Sequence, residues 1–233
     1  MTKSIIYLIP SVLDETSIYT IPLYIMEAIK DCHVIFAENE RTSRRYLKSI
    51  WKEIIIDNYE WFTIHNAEEA QISTFKAKIN EGKNIAIISE AGCPGIADPG
   101  QILVSVAQQM NLSIKPLVGP SSILLALMGS GMNGQHFQFV GYLPRDTQPR
   151  AARIKELEEE SAKKNCTQIF IETPYRNNQL IETILKTAKP SSRLCIACDL
   201  TSAREFIKTR TVADWKKEKI DFHKRPTIFL LLA

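Results

Sequence analysis

The sequence is poor in the features that mark several large classes of protein. No apolar run approaches the ~18 residues that a spanning helix needs, so no membrane segment is expected. Nothing at the N-terminus reads as a signal peptide, which predicts a cytosolic protein. There is no G-x-x-x-x-G-K-[ST], so P-loop binding lacks its fingerprint. There is no G-x-S-x-G nucleophile elbow either. Histidine is scarce: His33, His65, His136 and His223 are scattered, without metal-ligand spacing among themselves or with cysteine, and no metal is expected. The five cysteines are an odd number. Cys195 and Cys198 have redox or zinc-pair spacing, but they lie on an apolar strand pattern that sends them to opposite faces, and no second pair exists. They read as reduced core residues. Net charge is only +3, too small to argue for nucleic acid by itself, although an uneven spread still allows a basic patch.

What is present is an alternation of strand and helix signals over 233 residues, enough for one large domain or two small ones. Apolar runs at 5–9, 34–37, 53–56 and 84–88 read as strands, followed by 113–117. Between them Pro22 opens a helix with Leu23, Met26, Ala28 and Ile29 on its core face, Glu38 starts a cationic helix, and a helix over 68–81 ends at Gly82. A second series has an apolar helix over 123–128, N-capped by Ser121 or Ser122, and strands at 137–142, 168–172, 194–198 and 226–232. Its helices cover 151–164 and 177–188. The pattern predicts an α/β fold of two lobes, 1–115 and 116–233, with mostly parallel or mixed sheets. The hinge is expected in the proline-bearing segment 113–118.

One stretch organises the rest: Ser89-Glu90-Ala91-Gly92-Cys93-Pro94-Gly95-Ile96-Ala97-Asp98-Pro99-Gly100. It follows a buried strand and precedes an apolar helix, yet it exceeds the ~2–6 residues that such a connection needs. Glycine lets backbone groups approach a ligand, and proline fixes the shape of the loop in advance. It lies where open α/β sheets bind ligands, at the carboxyl end of a strand. The other strand ends, such as Pro10-Ser11 and Glu38-Asn39-Glu40-Arg41, are rich in Gly, Pro, Ser and carboxylates. Such a cleft suits a positively charged ligand, or one held by backbone groups, better than a polyphosphate.

The same stretch resembles S-D-A-G-T-P-x-I-x-D-P-G, the central motif of the tetrapyrrole (corrin/porphyrin) methylase superfamily in its ribosomal RNA small-subunit methyltransferase I branch. Ala37 to Thr42 resembles A-E-D-T-R, Val118 to Ser122 resembles P-G-P-S-A, and Phe139 to Pro144 resembles F-x-G-F-L-P. Ile171 to Arg176 resembles Y-E-S-P-H-R, and Asp199-Leu200-Thr201 resembles E-L-T. The resemblance implies a homodimer of two-lobed chains, with S-adenosylmethionine bound between the lobes. By position it assigns cofactor contact to Pro10, Ser89, Glu90, Ala91, Gly92, Ile96, Ser121, Ser122, Ile171 and Glu172. Ile96 and Ile171 would be apolar walls, with ordinary core as the alternative.

For a ribose 2′-hydroxyl acceptor a general base helps to remove the proton. Glu38 is the first candidate and Glu40 the second, while Asp98 reads as a turn residue before Pro99. Arg41, Arg145 and Arg176 are candidates for contact with RNA phosphates, the alternative for each being a solvated or ion-paired surface residue; Arg44, Arg45 and Arg150 share that reading. Four positions depart from the pattern. Pro10-Ser11 is followed by no Gly, Asn39 replaces Asp, Glu40 replaces Thr, and Glu90 replaces Asp. The leading expectation is 2′-O methylation of small-subunit ribosomal RNA. Methylation of a small molecule such as a tetrapyrrole, and a cofactor-binding module without catalysis, stand beside it.

Overall fold

Five strands of the first half all run the same way, so their carboxyl ends share one edge of the sheet. The computed structural model describes residues 4–65 and 68–233. The strands are β1 (Ile5–Ile9), β2 (Val34–Ala37), β3 (Glu60–Thr63), β4 (Ile85–Ile88) and β5 (Ser113–Pro116), in the order β3-β2-β4-β1-β5. Every pairing among them is parallel. The central β2 and β4 are buried along their whole length, as a parallel strand covered on both faces requires. One face packs on α1 (Ile25–Lys30) and α2 (Glu40–Ile50) through Ile25, Ile29, Tyr46 and Leu47. The other packs on α3 (Ile72–Asn80) and α4 (Gln101–Gln109) through Phe75, Ile79, Leu103 and Val106. Phe36, in the middle of β2, stacks on Phe62 and meets Phe75 edge-on.

The chain divides into two compact units, Met1–Ser121 and Ser122–Ala233. The second contains α5 (Ser122–Ser130), β6 (Phe137–Tyr142), α6 (Thr147–Lys164), β7 (Thr167–Ile171) and α7 (Asn177–Thr187). It continues with β8 (Arg193–Cys198), β9 (Phe206–Thr211), α8 (Val212–Trp215) and β10 (Thr227–Leu232). Its sheet order is β6-β7-β10-β8-β9, with β6 and β7 parallel and the other three pairings antiparallel. A core of Ile154, Leu157, Leu180, Ile184, Phe170 and Phe229 joins α6 and α7 to this sheet. Gly129 lets α5 approach β9 closely: a Cβ there would stand 2.8 Å from Ile207 Cδ1.

Several expectations change. No strand forms at 53–56; the third strand is Glu60–Thr63 instead. In the expected strand only Ile54 is buried, Ile55 is exposed, and Lys48 Nζ donates to the Ile54 carbonyl. The aromatic Trp61 and Phe62 carry the actual pairing with β2. Leu23 lies outside α1 and is exposed, because the helix starts at Ile25. The helix expected from Glu68 begins as a 3-10 turn, Glu69–Gln71, and becomes α-helical at Ile72. α6 starts at Thr147, four residues early, since Pro149 falls in its first turn, where a missing N–H costs nothing. Strand β9 and helix α8 carry no pattern that the apolar periodicity could detect.

All five cysteines are free, and Cys195 and Cys198 are fully buried. Among the described residues no helix is long and apolar enough to cross a membrane. Among them, too, no group of three or more His, Cys, Asp or Glu side chains is placed to hold a metal ion. Phe229, stacked on Phe170 in the middle of the second sheet, is the strongest single test of that unit's packing. Phe229→Ala is expected to lower stability by about 3–5 kcal/mol, measured by urea denaturation followed with fluorescence and circular dichroism.

Candidate active site

The strand-end loops of the first unit are tied together by backbone bonds. Ser11 and Gly92 form an antiparallel bridge, Ser11 N–H to Gly92 O at 2.8 Å and Gly92 N–H to Ser11 O at 3.1 Å. Ser11 Oγ donates to the Ser89 carbonyl at 2.8 Å, and Ser89 Oγ donates to the Ala91 carbonyl at 3.2 Å. Gly92 has φ +67°, in the left-handed region that glycine enters without strain. On the other side, Tyr46 Oη donates to the Pro10 carbonyl at 2.6 Å. The Pro10 ring lies against Gly119, where an added Cβ would stand 2.1 Å from Pro10 Cβ. The loops after β1, β4 and β5 therefore hold one another in place.

Glu38 sits at the carboxyl end of β2, where its N–H continues the sheet by donating to the Ile88 carbonyl at 2.9 Å. Its side chain is 11% exposed, and Oε2 accepts the Glu90 backbone N–H at 2.9 Å. Oε1 lies 3.6 Å from His65 Nδ1. Both line a cavity of about 450 Å³ together with Asn39, Arg41, Thr63 and Glu90. Glu40 lines the same cavity and pairs with Arg44 one helical turn on, at 2.6 Å. A second cavity, about 270 Å³, is walled by Ser11, Val12, Leu13, Ala91 and Glu90. Glu90 is common to both, and its Oε1 accepts from Thr42 Oγ1 at 3.1 Å.

The departures from the family pattern have local explanations. Asn39 is the N-cap of α2, its side-chain oxygen accepting the Thr42 N–H at 3.2 Å, a task Asn and Asp perform about equally. The longer Glu90 reaches the hydroxyl of Thr42. The loop after Pro10, which lacks the pattern's glycine, is closed by three hydrogen bonds of Ser11. Beyond Gly92 the loop turns at Gly95 and Gly100, and Gly100 packs so closely that a Cβ would stand 3.1 Å from Ile87. Ile96 remains 53% exposed, too open for a core side chain. Asp98 is pushed up to about 6 by burial and then by the negative charges of Glu38 and Glu90.

The remaining assigned positions belong to Ser121 and to the second unit. Ser121 and Ser122 are half-buried on either side of the boundary between the units, where α5 starts. Ile171 is the half-buried last residue of β7 and pairs with Ile228. Glu172 follows with its side chain fully buried; Oε1 accepts from Thr173 N–H and from Arg176, at 2.6 Å to the nearer nitrogen. Its Oε2 has no partner among the described residues. Arg176 is thus held by Glu172, whereas Arg145 is exposed and its carbonyl receives Arg150. Around α2, Arg45 pairs with Glu15 and Arg44 lies over Trp61. Among the described residues Arg44 and Arg45 of α2 form ion pairs and Arg41 does not. Sequence reading missed His65, Thr42 and Thr63; placing the third strand seven residues early hid the fact that His65 follows a strand end.

The profile of the family Tetrapyrrole (Corrin/Porphyrin) Methylases matches residues 20–215. The chain belongs to the tetrapyrrole methylase family. It is similar to the ribosomal RNA small subunit methyltransferase I of Buchnera aphidicola subsp. Schizaphis graminum, 30% identical over 98% of this chain and 78% of that protein. The protein of the same description from Escherichia coli O157:H7 is 32% identical over 75% of this chain, which spans 61% of its length. A solved structure of diphthine synthase superposes with a TM-score of 0.68 at 14% identity, covering 98% of this chain and 89% of the other, which shows the shared fold. As a tetrapyrrole methylase, the chain is an S-adenosylmethionine-dependent methyltransferase.

The raised Asp98 carboxyl gives a pH test of this geometry. Its folded state holds a proton that the unfolded chain has already released, so Asp98 removes stability as pH rises from about 4 through about 6. Asp98→Asn is expected to flatten that decline and to raise the melting temperature at pH 7, in thermal denaturation measured across pH 4–8.

Proposed function

We propose that this tetrapyrrole methylase transfers a methyl group to a ribose 2′-hydroxyl of small-subunit ribosomal RNA, in the cytoplasm. The observation that carries the reading is Glu38, a buried carboxylate fixed by the Glu90 N–H and facing an open cavity at the carboxyl edge of a parallel sheet. When bound, S-adenosylmethionine supplies a methyl group on a positively charged sulfur that leaves as a neutral thioether.

The residues suit such a ligand. The cavity beside Ala91 combines apolar Val12 and Leu13 with the Glu90 carboxylate, and cations favour carboxylates over phosphate-binding lysines. The exposed side chain of Ile96 offers apolar cover. Ser89 and Gly92 shape the loop, and Pro10 packs it against Gly119. Glu38 then assists removal of the acceptor's proton, while Glu40 is held by Arg44. Arg41, at the same cavity and without an ion pair among the described residues, is assigned to an RNA phosphate. Arg145 and Arg176 are assigned to RNA as well, Arg176 only when it leaves Glu172. The similarity to proteins described as ribosomal RNA methyltransferases supports the acceptor class. A homodimer is part of the proposal: Leu124 and Met128, one turn apart on α5, are exposed apolar side chains.

Labelled-methyl transfer from S-adenosylmethionine to small ribosomal subunits tests the reading, and resistance of the product to alkaline cleavage locates the methyl on a 2′-oxygen. Glu38→Gln is expected to lower kcat about 10²- to 10⁴-fold, whereas Glu40→Gln stays within a few-fold of wild type. Label entering only a small-molecule fraction, with no steep salt dependence, would move the acceptor to that class.

A further inference from the structure

Glu38 does not face the cavity alone. Oε2 is occupied by the Glu90 N–H at 2.9 Å, and Oε1 points toward His65 Nδ1 at 3.6 Å. The carboxylate side chain is 11% exposed and the imidazole 58% exposed, so the pair runs from the buried edge of the sheet out to solvent. His65 stands two residues beyond β3, and Ile64 N–H donates to the Ala37 carbonyl at 2.9 Å, which holds the ends of β2 and β3 side by side. Both side chains line the one cavity.

An ionised carboxylate only accepts hydrogen bonds. An imidazole that meets Glu38 through Nδ1 therefore carries its hydrogen there and leaves Nε2 bare. Such a carboxylate-held imidazole has a fixed tautomer and orientation, with a basic nitrogen presented to the cavity. The separation of 3.6 Å closes to a hydrogen bond by a small side-chain rotation, and catalytic pairs commonly tighten only when substrate is bound.

We infer that His65 is the general base of the methyl transfer and that Glu38 is its positioning residue. The inference rests on the methyl-transfer reading above and assigns the proton-accepting atom within that site. The acceptor O–H bond breaks and its proton bonds to His65 Nε2. The electron pair left on oxygen forms the new O–CH3 bond as the carbon–sulfur pair stays on sulfur. Charge and atoms balance: one hydroxyl proton becomes the second imidazole proton, and exposure of His65 lets it pass to solvent. The charged groups around the pair are Glu40 and Arg41 from α2, Glu90 from the loop after β4, and Asp98, whose charge couples to Glu38.

The test uses the full chain, labelled S-adenosylmethionine and small ribosomal subunits, with kcat measured from pH 5 to 9 for wild type, His65→Gln, Glu38→Gln and His136→Gln. The inference expects an acidic limb in the wild type that His136→Gln retains. It expects His65→Gln to lose that limb and at least about 10²-fold in kcat, with cofactor affinity by calorimetry unchanged within about threefold. A His65→Gln enzyme that keeps the limb and a near-wild-type rate overturns it. A second readout needs no acceptor: the ring-nitrogen NMR shifts of His65 report its tautomer in wild type and Glu38→Gln. The carboxylate is expected to hold the ring hydrogen on Nδ1 in the wild type, and its loss to release that preference; an unchanged tautomer overturns the pairing. If the wild type binds cofactor but transfers no methyl to the subunits, the RNA-acceptor reading fails, and the tautomer alone decides the pair.

Discussion

Two backbone hydrogen bonds between Ser11 and Gly92 make the rest of the first unit's site possible. A parallel sheet leaves the ends of its strands without partners, and each connection there is free to wander unless something closes it. Here the loop after β1 and the loop after β4 close on each other as a short antiparallel bridge. Ser89, just before it, is buried and linked to Ser11. That fixes the Glu90 backbone, and the Glu90 N–H in turn fixes the Glu38 carboxylate. A carboxylate buried without such a donor would be costly; with it, the group is oriented and still has one oxygen for other work.

The same closure explains why the loop tolerates side chains that depart from the family pattern. Its shape is set by main-chain bonds and by glycines at Gly92, Gly95 and Gly100, all with positive φ, so Glu90 is free to lengthen. Asn39 in place of Asp keeps the helix cap, and the cap is what aims α2 and its Arg41 at the cavity. These substitutions change reach and charge locally without changing how the backbone is held. They therefore give no structural support to a chain that binds cofactor but has lost catalysis.

Much of this was legible in the residues. The strands β1, β2, β4 and β10 are short apolar runs with clear stops, and the Gly/Pro stretch after β4 is the long strand-end loop its punctuation implied. Two things were not legible, for physical reasons. The run at 53–56 has the composition of a strand, but the Ile54 carbonyl bonds to Lys48 and only Ile54 is fully buried; pairing went to Glu60–Thr63, whose Phe62 stacks on Phe36. Local propensity cannot see which of two neighbouring apolar runs finds a partner. That slip concealed His65, which looked like one of four scattered histidines until the register of β3 put it beside Glu38. In the second unit, β9 carries half-buried, mixed residues and owes its strand to pairing with β8. The antiparallel turn of that sheet followed from it.

The central proposal is that the bridged loops of the first unit hold S-adenosylmethionine. Hydrogen–deuterium exchange of the full chain with and without S-adenosylmethionine tests it directly. The account predicts slowed exchange in peptides covering 10–13 and 89–97, with β9 and α6 unchanged. Protection confined to other segments, or none at 89–97 under conditions where calorimetry shows binding, would contradict it.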